Sequence, residues 1–385
     1  MQTTAYEEYQ SGGVRQTRLA SGQAFVPDPL PPARIDAAAV LFAVREAYDE
    51  ALLALGDLRG LAHDVTVARL LAAPLMRREA RVSSKIEDTI ATAEEVARYE
   101  AGERPTKPDT IEVANYRRAL WHGIESDLPL CVRLVNDMHR ILLSGARGDE
   151  QRTGEIRSIQ NRIGGSKDDF SSARFVPPPP GESLTTCLRA LERCWNEPLR
   201  PWPALIAIAM MHYQFEAIHP YGDGNGRLGR VLIVLSLLRS GLLPQPLVYI
   251  SASFERRRRE YADCLLRVST DGAWEQWIEF FLVAVAEQAR DASIRLTRIK
   301  DARDRIRQNL LSNRAPSGTL HLVDLFVEHL AIDVGTAERL LDVSNPTARG
   351  YIQRLESLGF LRELTGARYG QIWGAGPVLD VIDED

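Results

Sequence analysis

Residues 219–230 read His-Pro-Tyr-Gly-Asp-Gly-Asn-Gly-Arg-Leu-Gly-Arg. Apolar residues recur at helical spacing on both sides, over 203–218 and 227–242. The string is therefore a loop between two helices, with its glycines just before the N-terminus of the second. Unpaired backbone N–H groups and the helix dipole attract anions at such a place. Each residue type suits phosphate chemistry. His219 can take a proton from a hydroxyl near neutral pH. Asp223 can hold a magnesium ion, which favours one or two carboxylates plus phosphate oxygens. Gly224 and Gly226 let the backbone approach phosphates closely. Arg227 and Arg230, three apart, share a helix face and can grip phosphate oxygens in a fork.

Other readings of the loop fail on its neighbours. An EF-hand needs further acids at alternating positions and a terminal Glu, whereas Tyr221, Gly222 and Arg227 flank the Asp-Gly-Asn-Gly run. A Walker loop needs Gly-Lys-Ser/Thr, and the string has none. A plain helix–turn–helix connection explains the glycines but not one His, one Asp and two Arg together.

The string resembles the Fic-family signature, His-Pro-Phe-x-Asp/Glu-Gly-Asn-Gly-Arg-x-x-Arg, with Tyr221 as the single conservative change. The resemblance implies an enzyme that moves AMP from ATP to a hydroxyl on a target protein, and to itself. It implies His219 as general base, Asp223 as the Mg2+ ligand, and Gly224, Asn225, Gly226 and Arg227 as the phosphate cradle, joined by Arg230. ATP as substrate and Mg2+ as cofactor follow from the same likeness. Two further stretches are similar to the family. Thr153-Gly-Glu-Ile-Arg157, Ile163-Gly-Gly and Phe175-Val-Pro-Pro-Pro look like the flap beside the active site, an exposed hairpin whose strand edge can bind a target segment through its main chain. Ile163, Gly164, Phe175 and Val176 are the implied docking positions. Residues 74–96 resemble the inhibitory helix of one Fic subgroup, Ser/Thr-x-x-x-Glu-Gly/Asn, through Ser83 and Glu87. Glu87 is thereby expected to pair with Arg230 and to place ATP where its α-phosphate is misaligned. Position 88 departs, with Asp where Gly or Asn ends the family's helix.

Along the chain, a polar and then proline-rich arm (1–34) precedes helical patterns over 35–100, 109–123 and 129–143. Residues 154–180 break that rhythm with glycines, polar residues and four prolines, a hairpin-like excursion. Helical patterns resume at 183–196, 203–218, 227–241, 255–268 and 273–300. After an interruption at 312–318, three short helices (319–330, 335–341, 345–358) precede a strand–turn–strand from Phe360, an order that resembles a winged helix-turn-helix. Ser344 or Asn345 can cap its third helix, and Arg349, Arg354 and Arg368 could meet phosphates. The expected architecture is mainly α: an N-terminal helical region with the inhibitory helix (35–125), a Fic-type helical bundle with a β-hairpin flap (126–300), a linker (301–318) and a winged helix (319–385).

The 385 residues, 45% hydrophobic and 26% charged, are ordinary for a globular chain. A net charge of -5 gives no general pull toward nucleic acid or anionic membrane. No apolar run suits a membrane span, and Cys131, Cys187, Cys194 and Cys264 show no zinc-like pairing. A cytoplasmic protein is expected, and by resemblance a homodimer. His139 and His212 read as structural, the arginine run 256–259 reads as a solvated helix face, and Ala262 stands after Tyr261 where the family often has a second tyrosine, a change at the nucleotide or target pocket. Alternatives for the same residues are removal of AMP, transfer of another nucleotide, a toxin–antitoxin role, or a DNA-binding regulator whose Fic domain senses nucleotide.

Overall fold

The computed structural model describes residues 12–16, 23–33, 35–62, 65–145, 153–165 and 172–384. Two strands come first, β1 (Gly12–Gln16) and β2 (Gln23–Pro27), followed by α1 (Ala37–Ala43), α2 (Arg45–Leu61), α3 (Val65–Ile86), α4 (Ala93–Glu100), α5 (Pro108–Glu125) and α6 (Val132–Leu143). Beyond the irregular stretch come α7 (Glu182–Asn196), α8 (Ala204–Ile218), α9 (Asn225–Arg239), α10 (Ser251–Arg256), α11 (Arg258–Asp271) and α12 (Trp274–Ser312). The last elements are α13 (Ser317–His329), β3 (Ala331–Asp333), α14 (Val334–Leu341), α15 (Asn345–Ser357), β4 (Leu361–Glu363), β5 (Ile372–Ala375) and α16 (Gly376–Asp383). No described helix is long and apolar enough to cross a membrane.

The chain divides into two units that are discontinuous in sequence: 1–54, 118–243 and 253–287 form the first, and 55–117, 244–252 and 288–385 the second. In the first, α8 is apolar on every side and buried nearly throughout, which marks a central helix. Its neighbour α9 is buried from Asn225 to Leu237 apart from Gly226. The pair crosses closely at Gly229, where a Cβ would lie 2.2 Å from Glu216 Oε1 and 3.1 Å from His212 Cε1. Trp277 donates its indole N–H to Ala209 O on α8 at 2.9 Å, and Phe254, Tyr261 and Phe280 pack around that indole. Cys187 and Cys194 are buried on α7 as free thiols, and burial pushes Cys187 up to about 11.

The N-terminal arm differs from its expected form. Its described part is an antiparallel pair, β1 with β2 in the register Val14↔Phe25. Ala24 and Phe25 are fully buried, and Phe25 N donates to Val176 O at 2.9 Å. The apolar Ala-Phe-Val run is short, but it pairs and packs, and so holds the chain in the core.

In the second unit, α3 packs against α13 and α16. Glu100 accepts from both Arg77 (2.7 Å) and Arg117 (2.6 Å). Burial alone would raise its carboxyl, but the two guanidinium groups hold it below the usual range. Arg77 also caps α13 by donating to Glu328 O at 2.6 Å. The stretch 301–312, expected as linker, continues α12 to Ser312, since no Gly or Pro interrupts it there. The C-terminal helices occupy 317–329, 334–341 and 345–357. Their sheet has the order β3-β5-β4, with β3 an addition to the expected strand–turn–strand.

Candidate functional site

Helix α8 ends at His219, whose backbone is left-handed (φ 48, ψ 63). A non-glycine residue pays for that conformation, on the order of 1 kcal/mol, so something must hold it. The His219 N–H bonds to Phe215 O at 3.0 Å, and Nδ1 lies 3.3 Å from Glu216 O. A carbonyl only accepts, so Nδ1 carries the proton and Nε2 the basic lone pair.

The loop after it is braced from within. Asn225 accepts from Tyr221 N at 2.9 Å and donates to Tyr221 O at 2.8 Å, closing the turn with its own side chain. Asp223 Oδ1 accepts from Gly224 N at 2.6 Å. Gly224 has φ 77, a conformation that favours glycine, and it leads into α9. The first N–H groups of α9 lack intrahelical acceptors and are aimed out of its N-terminus. Arg227 and Arg230 are both 2% exposed, and the Arg227 guanidinium lies 3.7 Å from the Asp223 carboxylate, itself 53% exposed. A fixed proton acceptor, a half-open carboxylate, a helix N-terminus and two buried cations thus share one loop.

Magnesium fits this donor set. It takes one or two carboxylates and fills its remaining positions with phosphate oxygens and water. Asp223 supplies one accessible carboxylate, and among the described residues no group of three or more His, Cys, Asp or Glu could hold a metal by itself.

Several residues that brace the loop from behind carry little signal of that role in the sequence. His139 stacks on Tyr221, ring centroids 4.0 Å apart. Gly154 N donates to its Nδ1 at 2.7 Å, so Nε2 holds the proton and donates to Asp223 O at 3.1 Å. Burial holds its pKa below the usual histidine value, so the ring stays neutral. Tyr221 O–H donates to Asn136 at 2.7 Å, and Asn161 donates to Tyr221 O at 3.2 Å. Arg157 donates to His219 O at 2.9 Å and to Pro178 O at 2.6 Å. Its position in Thr-Gly-Glu-Ile-Arg, next to the hairpin, was the available signal. His212, beneath Arg230, donates from Nδ1 to Gly229 O and accepts from the Tyr261 O–H at 2.8 Å. Tyr261 is thus a buried packing residue.

The flap hairpin has the bridge Ile163↔Phe175, and its tip at 166–171 lies outside the described residues. Phe175 and Val176 are each 6% exposed, with Phe175 packed on Phe25 at 5.7 Å. Their side chains belong to the core, and their main chain is largely engaged within the molecule, Phe175 N and O with Ile163 and Val176 O with Phe25 N. Ile163 is half-buried and Gly164 exposed. In the second unit, Ser83 is fully buried near the end of α3, and Glu87 is exposed in the turn that follows. Asp88 takes φ 60 and ends the helix there, as a Gly or Asn would.

Residues 45–125 match the Fic/DOC family N-terminal region and residues 129–237 the Fic/DOC family. The chain therefore carries a Fic/DOC N-terminal region followed by a Fic/DOC domain, and its fold is mainly helical and Fic-type. It is 31% identical over 110 residues to protein adenylyltransferase fic-1 of Caenorhabditis briggsae, covering 29% of this chain and 20% of that protein. It is 32% identical over 146 residues to protein adenylyltransferase Fic of Culex quinquefasciatus, covering 37% and 25%. The chain thus spans a quarter or less of the length of these relatives. A Fic family protein from Desulfovibrio desulfuricans G20 shares the fold over 90% of this chain and 98% of its own, with TM-score 0.55 and 19% identity.

Proposed function

We propose that this chain transfers AMP from Mg-ATP to a Ser, Thr or Tyr hydroxyl of a target protein, and to itself, and that Glu87 restrains it by pairing with Arg230. The observation that carries the reading is the contact of His219 Nδ1 with the Glu216 carbonyl at 3.3 Å, which assigns the basic lone pair to Nε2, beside a helix N-terminus backed by two buried arginines. The hydroxyl proton passes to Nε2, and the Glu216 carbonyl steadies the resulting imidazolium through Nδ1–H. The hydroxyl oxygen bonds to the α-phosphorus as the bond to the α,β-bridging oxygen breaks, and its electron pair leaves with pyrophosphate. Backbone N–H groups at 224–226 and the Arg227 and Arg230 guanidinium groups stabilise charge on the phosphates. Asp223 would hold Mg2+, which neutralises phosphate charge when bound. The names of the relatives from C. briggsae and C. quinquefasciatus support this activity.

The test is release of pyrophosphate together with a covalent AMP adduct. Glu87→Gly should give both faster than wild type, and Glu87→Gly/His219→Ala should give neither. Adduct formation that survives loss of His219 would remove the histidine from the mechanism.

We propose further that α13 to β5 form a winged helix-turn-helix. Three helices with a three-stranded antiparallel sheet support it, and Arg349, Arg354 and Arg368 are exposed on α15 and the β4–β5 turn. If this unit binds duplex DNA, affinity falls steeply with salt. A flat salt response would leave a protein-contact role.

A further inference from the structure

Arg157 is a buried cation with an unusual set of partners. Its side chain is 8% exposed, and among the described residues no carboxylate pairs with it. All of its donors go to backbone carbonyls: Nε to His219 O at 2.9 Å, Nη1 to Ile159 O at 3.3 Å, and Nη2 to Pro178 O at 2.6 Å and Ile218 O at 3.5 Å. Its own N–H donates to Pro220 O at 2.9 Å. Burial lowers the guanidinium to about 10, still charged at neutral pH.

Ile218 O and His219 O are carbonyls at the C-terminal end of α8, where the helix leaves acceptors unmet and where the dipole favours a cation. His219 is also the residue held left-handed, so a donor on its carbonyl fixes the orientation of that peptide and with it the Cα–Cβ direction. Pro178 belongs to the proline run that continues the returning side of the flap, immediately after Phe175 and Val176. A planar fork can hold these carbonyls together; a lysine ammonium on one flexible stem cannot reproduce that spread. We infer that Arg157 is a positioning residue for His219: one buried guanidinium locks the left-handed backbone that aims the imidazole and ties the flap to the same point. Base and flap are then held at a fixed separation. This inference rests on the adenylyl-transfer reading for its kinetic consequence, but not for its geometry.

The experiment uses full-length protein in the Glu87→Gly background, with Arg157→Lys and Arg157→Ala added. Three quantities are read: the rate of AMP transfer, the Kd for Mg-ATP, and the His219 tautomer from imidazole nitrogen shifts, assigned with His219→Gln. A misplacement of about 1 Å can cost roughly 100-fold in rate, so Arg157→Lys should lose about that much. Because only the aim of the base is disturbed, the Kd should stay within about threefold, and the Nδ1–H form should give way to a mixture. Guanidinium ion should restore part of the rate to Arg157→Ala, whereas methylammonium should not. Arg157→Lys with the rate and tautomer of its parent overturns the inference. So does a rate loss matched by an equal loss of Mg-ATP binding, the mark of general damage. If the Glu87→Gly parent forms no AMP adduct, the adenylyl-transfer reading fails by itself. The nitrogen shifts then still decide Arg157, for it or against it.

Discussion

Replacing Asn225 by Ala removes both bonds that close the motif loop, the 2.9 Å acceptor for Tyr221 N and the 2.8 Å donor to Tyr221 O. Tyr221 is 1% exposed, so water does not readily take over. The orphaned N–H costs about 1–3 kcal/mol, the penalty for an unsatisfied buried donor. The carbonyl keeps the Asn161 donor at 3.2 Å, so its loss is nearer the net worth of one bond, about 0.5–1.5 kcal/mol. The sum is about 1.5–4.5 kcal/mol, which lowers Tm by roughly 3–18 °C for a unit of this size. Calorimetric unfolding reads the Tm, and hydrogen exchange at the Tyr221 amide reads the local effect. Asn225→Asp keeps the acceptor but sets a carboxylate oxygen against Tyr221 O, and should fall at least as far as Ala. An Asn225→Ala protein with the Tm of wild type and a Tyr221 amide exchanging as slowly as before would refute the reasoning.

Two other perturbations follow from local conformation and charge. Burial, aided by the nearby Arg230 charge, pushes His212 down to about 3 from an ordinary 6.5. Its contribution to stability is therefore complete above about pH 6.5 and is lost progressively as pH falls toward 3, while the unfolded chain takes up a proton that the folded one refuses. Tm measured across that window should fall less steeply in His212→Gln than in wild type; equal slopes would contradict the assignment. Asp88 is exposed with φ 60, so Asp88→Gly should add about 0.5–1 kcal/mol by removing the left-handed penalty. Urea unfolding checks this, and a less stable variant would show that the Asp88 side chain matters more than its backbone.

The motif loop was legible because its chemistry and its conformational needs fall within twelve consecutive residues. The Gly-Asn-Gly turn marks the helix boundary, and the histidine, carboxylate and two arginines around it carry the proposed chemistry. The start of α9 came two residues earlier than its apolar pattern, at Asn225, because the turn glycine rather than the first apolar residue caps it. Arg157 was not legible as part of the site. It reaches carbonyls 62 residues away in sequence, and a bond to a carbonyl leaves no mark on the identity of its partner. His139 escaped for the same reason, since it holds the backbone of Asp223. The β1–β2 pair was obscured by the prolines that follow it, and the burial of Phe175 depends on Phe25, far away in the chain. The arginine run 256–259 looked like one continuous helix, yet the backbone breaks at Arg257 (φ -116) between α10 and α11.

The central claim is that His219 directs the α-phosphate of ATP onto a protein hydroxyl. The most direct measurement is label transfer from α-labelled against γ-labelled Mg-ATP, with cell extract as a source of targets, to Glu87→Gly and Glu87→Gly/His219→Ala proteins and to the proteins of the extract. The account predicts α-label on protein with Glu87→Gly, little with wild type, no γ-label in any case, and no α-label once His219 is gone. Folded, ATP-binding Glu87→Gly protein that transfers no α-label even in extract would contradict it.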